Sequence, residues 1–489
     1  MLFDSFHFLY FFVIVTTSYF LLPHRFRWLL LLISSCYFYM TFVPIYILIL
    51  GFTIVVDYFA GIYIENAKGR RRKLFLIISL IANIGILAVF KYYNFINENL
   101  SLLLHTVNFS NRLPYLTILL PIGLSFHTFQ AMSYTIEVYR GNQKAERNFG
   151  IYSLYVMFFP QLVAGPIERP QNILYQFRTH QNFDYQRIAD GLKLIAWGLI
   201  KKIVIADRLS VMVNIAYDDP HKTHGLSFII ATVFFSFQIF CDFSGYTDIA
   251  LGTAKVLGFK LMKNFNSPYH AKSISEFWSR WHISLSTWFR DYLYIPLGGS
   301  RVTVSRWYFN LFFVFLISGL WHGANWTYIV WGAINGFYLV FASYTQNFRN
   351  KIVRILGLNK FEGFYSTIQT LTTFTLVTMA WVFFRAKTIS DAAFIIKSAF
   401  TETAGDLIRL LHRVPFNQVE NVASRKDLAI GAALIILLEV VHIMQKRGSI
   451  VAYIDSKPQY FRWSIYYLCV CLIIFGSTSN HSQFIYFQF

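Results

Sequence analysis

The sequence predicts an all-α polytopic membrane protein, and three observations predict it. Apolar runs of about 20 residues recur from end to end, the length a helix needs to cross a hydrocarbon core of roughly 30 Å. Of the 489 residues, 56% are hydrophobic and 14% charged, whereas a soluble domain carries roughly a quarter charged residues. Strand-like alternation in blocks of about ten residues is absent, which favours a helical bundle over a barrel.

The candidate membrane segments are residues 5–22, 27–41, 43–63, 74–91, 115–138, 150–165, 190–206, 226–256, 308–320, 326–345, 365–384, 428–445 and 463–479. Several are short or broken, so roughly 10 to 12 true spans are expected. The first run, Phe6 to Leu22, lacks a basic lead and a small-residue cleavage site and reads as a retained helix. Aromatic residues, 19% of the chain, read as interface anchors and packing groups. Cys36, Cys241, Cys469 and Cys471 lie in or beside apolar runs and read as small apolar residues without a disulfide framework.

The net charge is +19, yet the basic residues sit mostly in short clusters between apolar runs, the mark of cytoplasmic loops. Anionic lipid or an anionic cytosolic substrate accounts for that charge, and nucleic-acid binding is not expected. Arg25 and Arg27, then Lys68, Arg70, Arg71, Arg72 and Lys73, then Arg140, Lys144 and Arg147 place three loops in the cytoplasm and the N-terminus outside. Lys446, Arg447, Lys457 and Arg462 before the last run place the C-terminus outside too. Residues 385–426 resist this scheme, because Arg385, Lys387, Lys397, Arg409 and Arg413 would then be extracytoplasmic or re-entrant.

Residues 255–306 differ from the rest in being basic, Trp-rich and only intermittently apolar. Helical spacing puts Ile274, Phe277, Trp278, Trp281, Leu285 and Trp288 on one broad face, flanked by Arg280 and Arg290. Such a helix lies at the interface or dips into the protein, and the run from Pro296 to Ser300 ends it. No internal repeat is visible, which weighs against a transporter built from duplicated halves.

Ionisable groups within apolar runs are costly and often mark a pathway or a reactive site. Here they are Asp57, His127, Glu137, Asp242, Asp248, His322 and Glu439. Asp57 and Glu439 read as structurally partnered or snorkelling. His127 follows a helix break and reads equally as a hydrogen-bonded core histidine or a functional one. Asp242, Ser244, Tyr246 and Asp248 crowd around Gly245, as either a water-filled cavity or a structural polar network would require. His322 is the sharpest case, set between Gly319 and Gly323 at the junction of two apolar segments. A neutral imidazole there can take a proton from a hydroxyl near pH 7, although a structural histidine fits the residues as well. His282 is the second candidate. There is no phosphate-binding Gly-rich loop, zinc-type spacing or Gly-x-Ser-x-Gly elbow, so no metal is expected.

The block from Ser275 to Gly299, containing Arg280-Trp281-His282 and Arg290-Asp291, resembles the signature of membrane-bound O-acyltransferases, most closely the bacterial alginate O-acetylation type. Pro121-Ile122-Gly123-Leu124-Ser125-Phe126 with Thr128-Phe129-Gln130, the run from Phe159 to Arg169, and Gly319-Leu320-Trp321-His322-Gly323 are similar to the same subgroup. The resemblance covers nearly the whole chain, as a single transmembrane domain over 1–489. It implies a ring of tilted helices around a central tunnel open to both faces. The invariant histidine of the family maps onto His322 and its second polar position onto His282. The implied donor is acetyl-CoA from the cytoplasm, with no other cofactor. Arg280, Trp281, Arg290, Asp291, Trp321 and Asn325 are the donor-binding candidates, and Asn325, Trp326 or His282 the candidate hydrogen-bond donors to the tetrahedral intermediate. An extracytoplasmic SGNH-type transferase is the implied partner, alongside membrane lipid, at the bacterial cytoplasmic membrane.

The chain ends Phe484-Ile485-Tyr486-Phe487-Gln488-Phe489, an aromatic interface anchor on a plain reading. It also resembles the aromatic C-terminal motif, here within 480–489, of polysaccharide and teichoic-acid acylation systems, which implies that Tyr486 carries the acyl group. A phenol leaving group with a pKa of about 10 makes such an ester activated for onward transfer. The competing readings are a transporter or flippase of acyl donor or glycan, and an acyltransferase acting on a lipid.

Overall fold

The computed structural model describes residues 1–117, 121–163, 165–412, 424–476 and 484–485, and these are mostly helical with no strand among them. The main helices are α1 (Phe6–Leu21), α2 (His24–Met40), α3 (Tyr46–Asn66), α4 (Gly69–Leu87), α5 (Leu124–Arg140), α6 (Phe149–Met157), α7 (Tyr185–Leu199), α8 (Gly225–Leu257), α9 (Ile274–Arg280), α10 (Ile283–Phe289), α11 (Val304–His322), α12 (Trp326–Tyr344), α13 (Glu362–Arg385), α14 (Ile389–Thr401), α15 (Arg425–Arg447) and α16 (Gln459–Phe475). Among the described residues, six stretches are long and apolar enough to cross a membrane: α3, Gly69–Thr106 (α4 and its continuation), α8, α11, α13 and α15. α1 and α16 are shorter and apolar. Expected segments 150–165 and 190–206 are broken: Phe158 separates α6 from a short helix with Pro160 in its first turn, and α7 runs into a π-helical turn, Ile200–Ala206. Residues 389–411, left open by the charge pattern, form α14 and a further helix, and Arg385 is neutralised by Asp218 at 3.1 Å.

The solvent logic of this chain is inverted. Ile81 on α4 is 65% exposed while Asp57 on α3 is fully buried. Water would penalise that arrangement, whereas lipid accepts the apolar surface and requires polar groups to be satisfied internally. Asp57 accepts from Ser79 Oγ at 2.6 Å and from Asn83 Nδ2 at 2.8 Å, which answers its sequence reading with structural partners. Glu439 likewise meets His270 Nε2 at 2.6 Å and His442 Nδ1 at 3.2 Å.

Backbone contacts group the chain into two compact units: Met1–Ala196 with Tyr246–Lys263, and Trp197–Gly245 with Asn264–Phe489. In the first, the two subgroup blocks interlock. His127 Nε2 lies 2.9 Å from the Leu162 carbonyl, and Tyr155 donates to the carbonyls of Gln130 at 3.0 Å and Glu168 at 3.1 Å. In the second, α11 and α12 pack through glycines. A Cβ on Gly319 would fall 2.3 Å from the Tyr328 carbonyl oxygen, and one on Gly332 2.4 Å from that of Phe315. Only glycine permits this approach, the small-residue packing that lipid-embedded helices rely on.

Candidate active site

The amphipathic helix expected through 274–288 is broken at His282. α9 starts with a reciprocal cap: Ser273 Oγ accepts the Glu276 N–H at 3.2 Å, and the Glu276 carboxylate accepts the Lys272 N–H at 2.6 Å. α9 ends at Arg280, and His282 then takes a left-handed backbone, φ 44° and ψ 54°, before α10. The apolar face survives the break, with Ile274, Phe277, Trp281, Leu285 and Trp288 all buried. What spacing alone misses is the reason to break. A non-glycine residue in this conformation is strained and needs support from its surroundings.

Asn264 supplies that support. Its Oδ1 accepts from the Ser284 N–H at 3.1 Å and from Ser284 Oγ at 2.9 Å, and it lies 3.1 Å from His282 Nδ1. Its backbone carbonyl accepts the Ile283 N–H at 2.9 Å. A main-chain N–H can only donate, so the Asn264 atom facing it is oxygen, and His282 Nδ1 must carry the proton. The lone pair of this imidazole therefore sits on Nε2. Burial pushes its protonation well below the usual histidine range, which keeps the ring neutral. Asn264 itself, in a Lys-Asn-Phe-Asn stretch, carries no sequence signal that would have singled it out.

His322 is the last residue of α11, and Gly323 turns the chain away in an extended conformation. A Cβ on Gly323 would lie 2.2 Å from the Tyr328 ring, so the helix can stop here only at glycine. The imidazole is packed edge-on against Trp321 at 4.9 Å, Trp331 at 5.0 Å and Phe384 at 5.3 Å. Trp321 also reaches His282, at 6.3 Å.

His282 and His322 line one cavity of about 270 Å³, together with Trp278, Trp281, Ser286, Arg290, Tyr294 and Ser318. Of the donor-binding candidates, Trp281 and Arg290 line it as well. Asp291 pairs with Arg290 at 2.8 Å, and Arg280 is held by Glu276 at 2.5 Å on its own helix. Asn325 serves another purpose. It caps α12, accepting the Thr327 N–H at 2.9 Å, and it donates to the Lys387 carbonyl at 3.2 Å. Trp326 is half exposed. Tyr486 lies outside the described residues. Among the described residues no group of three or more His, Cys, Asp or Glu side chains is arranged to hold a metal.

The membrane-bound O-acyltransferase family model matches residues 143–354, a range that holds both histidines. A probable alginate O-acetylase of Pseudomonas aeruginosa is 39% identical over 82% of this chain and 75% of its own length. The chain belongs to the membrane-bound O-acyltransferase family. A peptidoglycan O-acetyltransferase of Helicobacter pylori is 33% identical, over 94% of this chain and 91% of its own. A teichoic acid D-alanyltransferase of Streptococcus thermophilus is 31% identical over 45% of this chain and 56% of its own. The protein is a membrane acyltransferase, and the paired-histidine cavity lies within the stretch that defines its family.

The Asp242 cluster also proves richer than its sequence reading. Lys202 Nζ, buried in the π-helical turn, lies 2.7 Å from Asp207 and 2.8 Å from Asp242, and Lys201 donates to Ser244 at 2.9 Å. The sequence signal for this cluster is a pair of adjacent lysines, Lys201 and Lys202, inside the apolar segment 190–206.

Proposed function

We propose that this acyltransferase moves an acetyl group from cytoplasmic acetyl-CoA to a hydroxyl acceptor for O-acetylation of an extracytoplasmic polysaccharide, with His322 as general base. The observation that carries the reading is the sharing of one cavity by His322, His282, Arg290 and Trp281. At about 270 Å³ it falls just below the roughly 300–1,000 Å³ of sites that enclose drug-sized ligands. It suits an acetyl thioester and the end of its pantetheine arm, not the whole of CoA. Arg290 provides positive charge for the anionic remainder.

His322 removes the proton of the acceptor hydroxyl as its oxygen attacks the thioester carbon. A C–O bond forms, the C–S bond breaks, and the same proton passes to the departing thiolate. His282, neutral with its lone pair on Nε2, accepts a hydrogen bond from an amide N–H of the pantetheine arm and orients the thioester. In this tautomer it is not a donor to the tetrahedral oxyanion. The first acceptor is Tyr486, and an extracytoplasmic SGNH-type transferase passes the group to the glycan. The setting is the bacterial cytoplasmic membrane, with both termini outside.

Incubating the purified protein with isotope-labelled acetyl-CoA and mapping label by mass spectrometry tests this. Label should appear on Tyr486 and be lost in His322→Ala. Movement of donor or glycan with no covalent change would instead make the chain a transporter. Full polymer acetylation by Tyr486→Phe would remove the tyrosine relay.

A further inference from the structure

We infer that Asp242, held by Lys202 and Asp207, is a positioning residue that latches the C-terminal tail beside the catalytic cavity. Asp242 Oδ2 accepts the main-chain N–H of Ile485 at 2.7 Å, across 243 residues of sequence. Its other oxygen is 2.8 Å from Lys202 Nζ, which is also 2.7 Å from Asp207. Asp242 is thus a buried carboxylate held by a buried ammonium. A main-chain N–H brought to that carboxylate makes a charge-assisted hydrogen bond, stronger than a neutral one. The close approach that builds the cluster depends on Gly245, where a Cβ would lie 2.8 Å from the Gly198 carbonyl and 3.1 Å from the Lys202 nitrogen. A π-helical turn, a common feature of functional sites, presents the two lysines to α8.

The latch is tied to the site through one ring. Phe484 and Ile485 are buried. Phe484 packs on Phe243 at 6.1 Å, and Phe243 meets the His282 imidazole edge-on at 4.7 Å. The tail is thus fixed, one ring away from His282, at the residue preceding Tyr486. Consecutive Cα atoms are about 3.8 Å apart across a trans peptide, so a fixed Ile485 removes most of the freedom with which a following acceptor would search for the cavity. This step rests on the reading of Tyr486 as acyl acceptor. The latch itself does not.

The test uses the full-length protein in detergent. Ile485→Pro deletes the N–H and leaves the ion cluster intact, Asp242→Ala deletes its acceptor, and Ile485→Val keeps the latch. Hydrogen-exchange mass spectrometry should find the Ile485 amide exchanging at least tenfold faster in Asp242→Ala than in the wild type. With labelled acetyl-CoA, the single-turnover rate of label transfer to Tyr486 should fall tenfold or more in both latch-breaking variants, with half-saturation by acetyl-CoA within twofold of wild type, and Ile485→Val should behave as wild type. A wild-type transfer rate in Ile485→Pro would overturn the positioning role, including where Asp242→Ala fails to fold. Unchanged amide protection in Asp242→Ala would overturn the latch. Absence of any transfer from acetyl-CoA by the wild type would count against the donor assignment, while the exchange measurement would still decide the latch.

Discussion

His127 and His322 look alike in the sequence, each an imidazole in an apolar run with glycine close by, and the structure separates them. His127 sits in the interlocked polar network of the first unit. Its Nε2 lies 2.9 Å from the Leu162 carbonyl, and a Cβ on Gly123 would meet both that carbonyl at 2.8 Å and the imidazole at 3.1 Å. Glycine there closes the backbone down onto the ring. His322 ends a helix at a glycine that turns the chain away, and its ring lines a cavity shared with a second histidine. Glycine there stops the helix where the imidazole meets open space. A histidine at membrane depth acquires its role from what the adjacent glycine permits, and two similar motifs spend that freedom in opposite ways.

Replacing each histidine by alanine breaks the comparison most sharply. In His322→Ala the acyl-transfer rate should fall by about 10² to 10⁴, the usual contribution of a positioned general base, with unaltered expression and gel-filtration profile. Retention of a tenth of the wild-type rate would contradict the assignment. In His127→Ala the buried Leu162 carbonyl loses its partner, which costs about 1–3 kcal/mol. The thermal midpoint in detergent should drop, while the rate per folded molecule stays within about threefold. A hundredfold loss of rate in a stably folded His127→Ala would erase the distinction.

A smaller effect tests how the cavity is prepared. Asn264→Ala removes the acceptor that fixes the His282 tautomer and leaves the Ser284 N–H without that partner. The strained backbone at position 282 loses the side-chain part of its support, while the Asn264 carbonyl still accepts the Ile283 N–H. The acyl-transfer rate should fall about tenfold, less than removal of a general base. Nitrogen-15 chemical shifts of His282 should report a proton no longer confined to Nδ1. An unchanged tautomer would show that another contact fixes the ring.

The fold was legible where a single physical signal dominates. Apolar length alone places α1, α2, α3, α8, α11, α12, α13, α15 and α16 to within a few residues, because the bilayer demands it. Legibility fails where tertiary contacts override local pattern. The 3.6-residue period continues through Trp281 and His282, so nothing in the run announces a break made to reach Asn264. The site divides in the same way. His282 and His322 announce themselves by type and by resemblance, but the Asp242–Lys202–Asp207 cluster depends on a chain crossing that spacing does not encode. Within the Asp242 to Asp248 stretch, Asp242 and Ser244 serve buried lysines, as a structural polar network requires.

Asn325 gives the finest test, because sequence proximity to His322 makes it a candidate donor to the oxyanion and the structure makes it a cap. Its side-chain oxygen takes the Thr327 N–H, and its amide nitrogen goes to the Lys387 carbonyl. Both ends are therefore committed to the scaffold, one capping α12 and the other tying that cap to the link between α13 and α14. Removing an N-cap costs about 1 kcal/mol, whereas removing an oxyanion donor costs about 10²- to 10³-fold in kcat. Asn325→Ala should lower the thermal midpoint slightly and leave kcat within about twofold, and Asn325→Ser, which keeps a capping oxygen, should restore the midpoint. A hundredfold loss of kcat in Asn325→Ala with wild-type stability would return this residue to the chemistry. It would mean that the side chain leaves its cap when the substrate arrives.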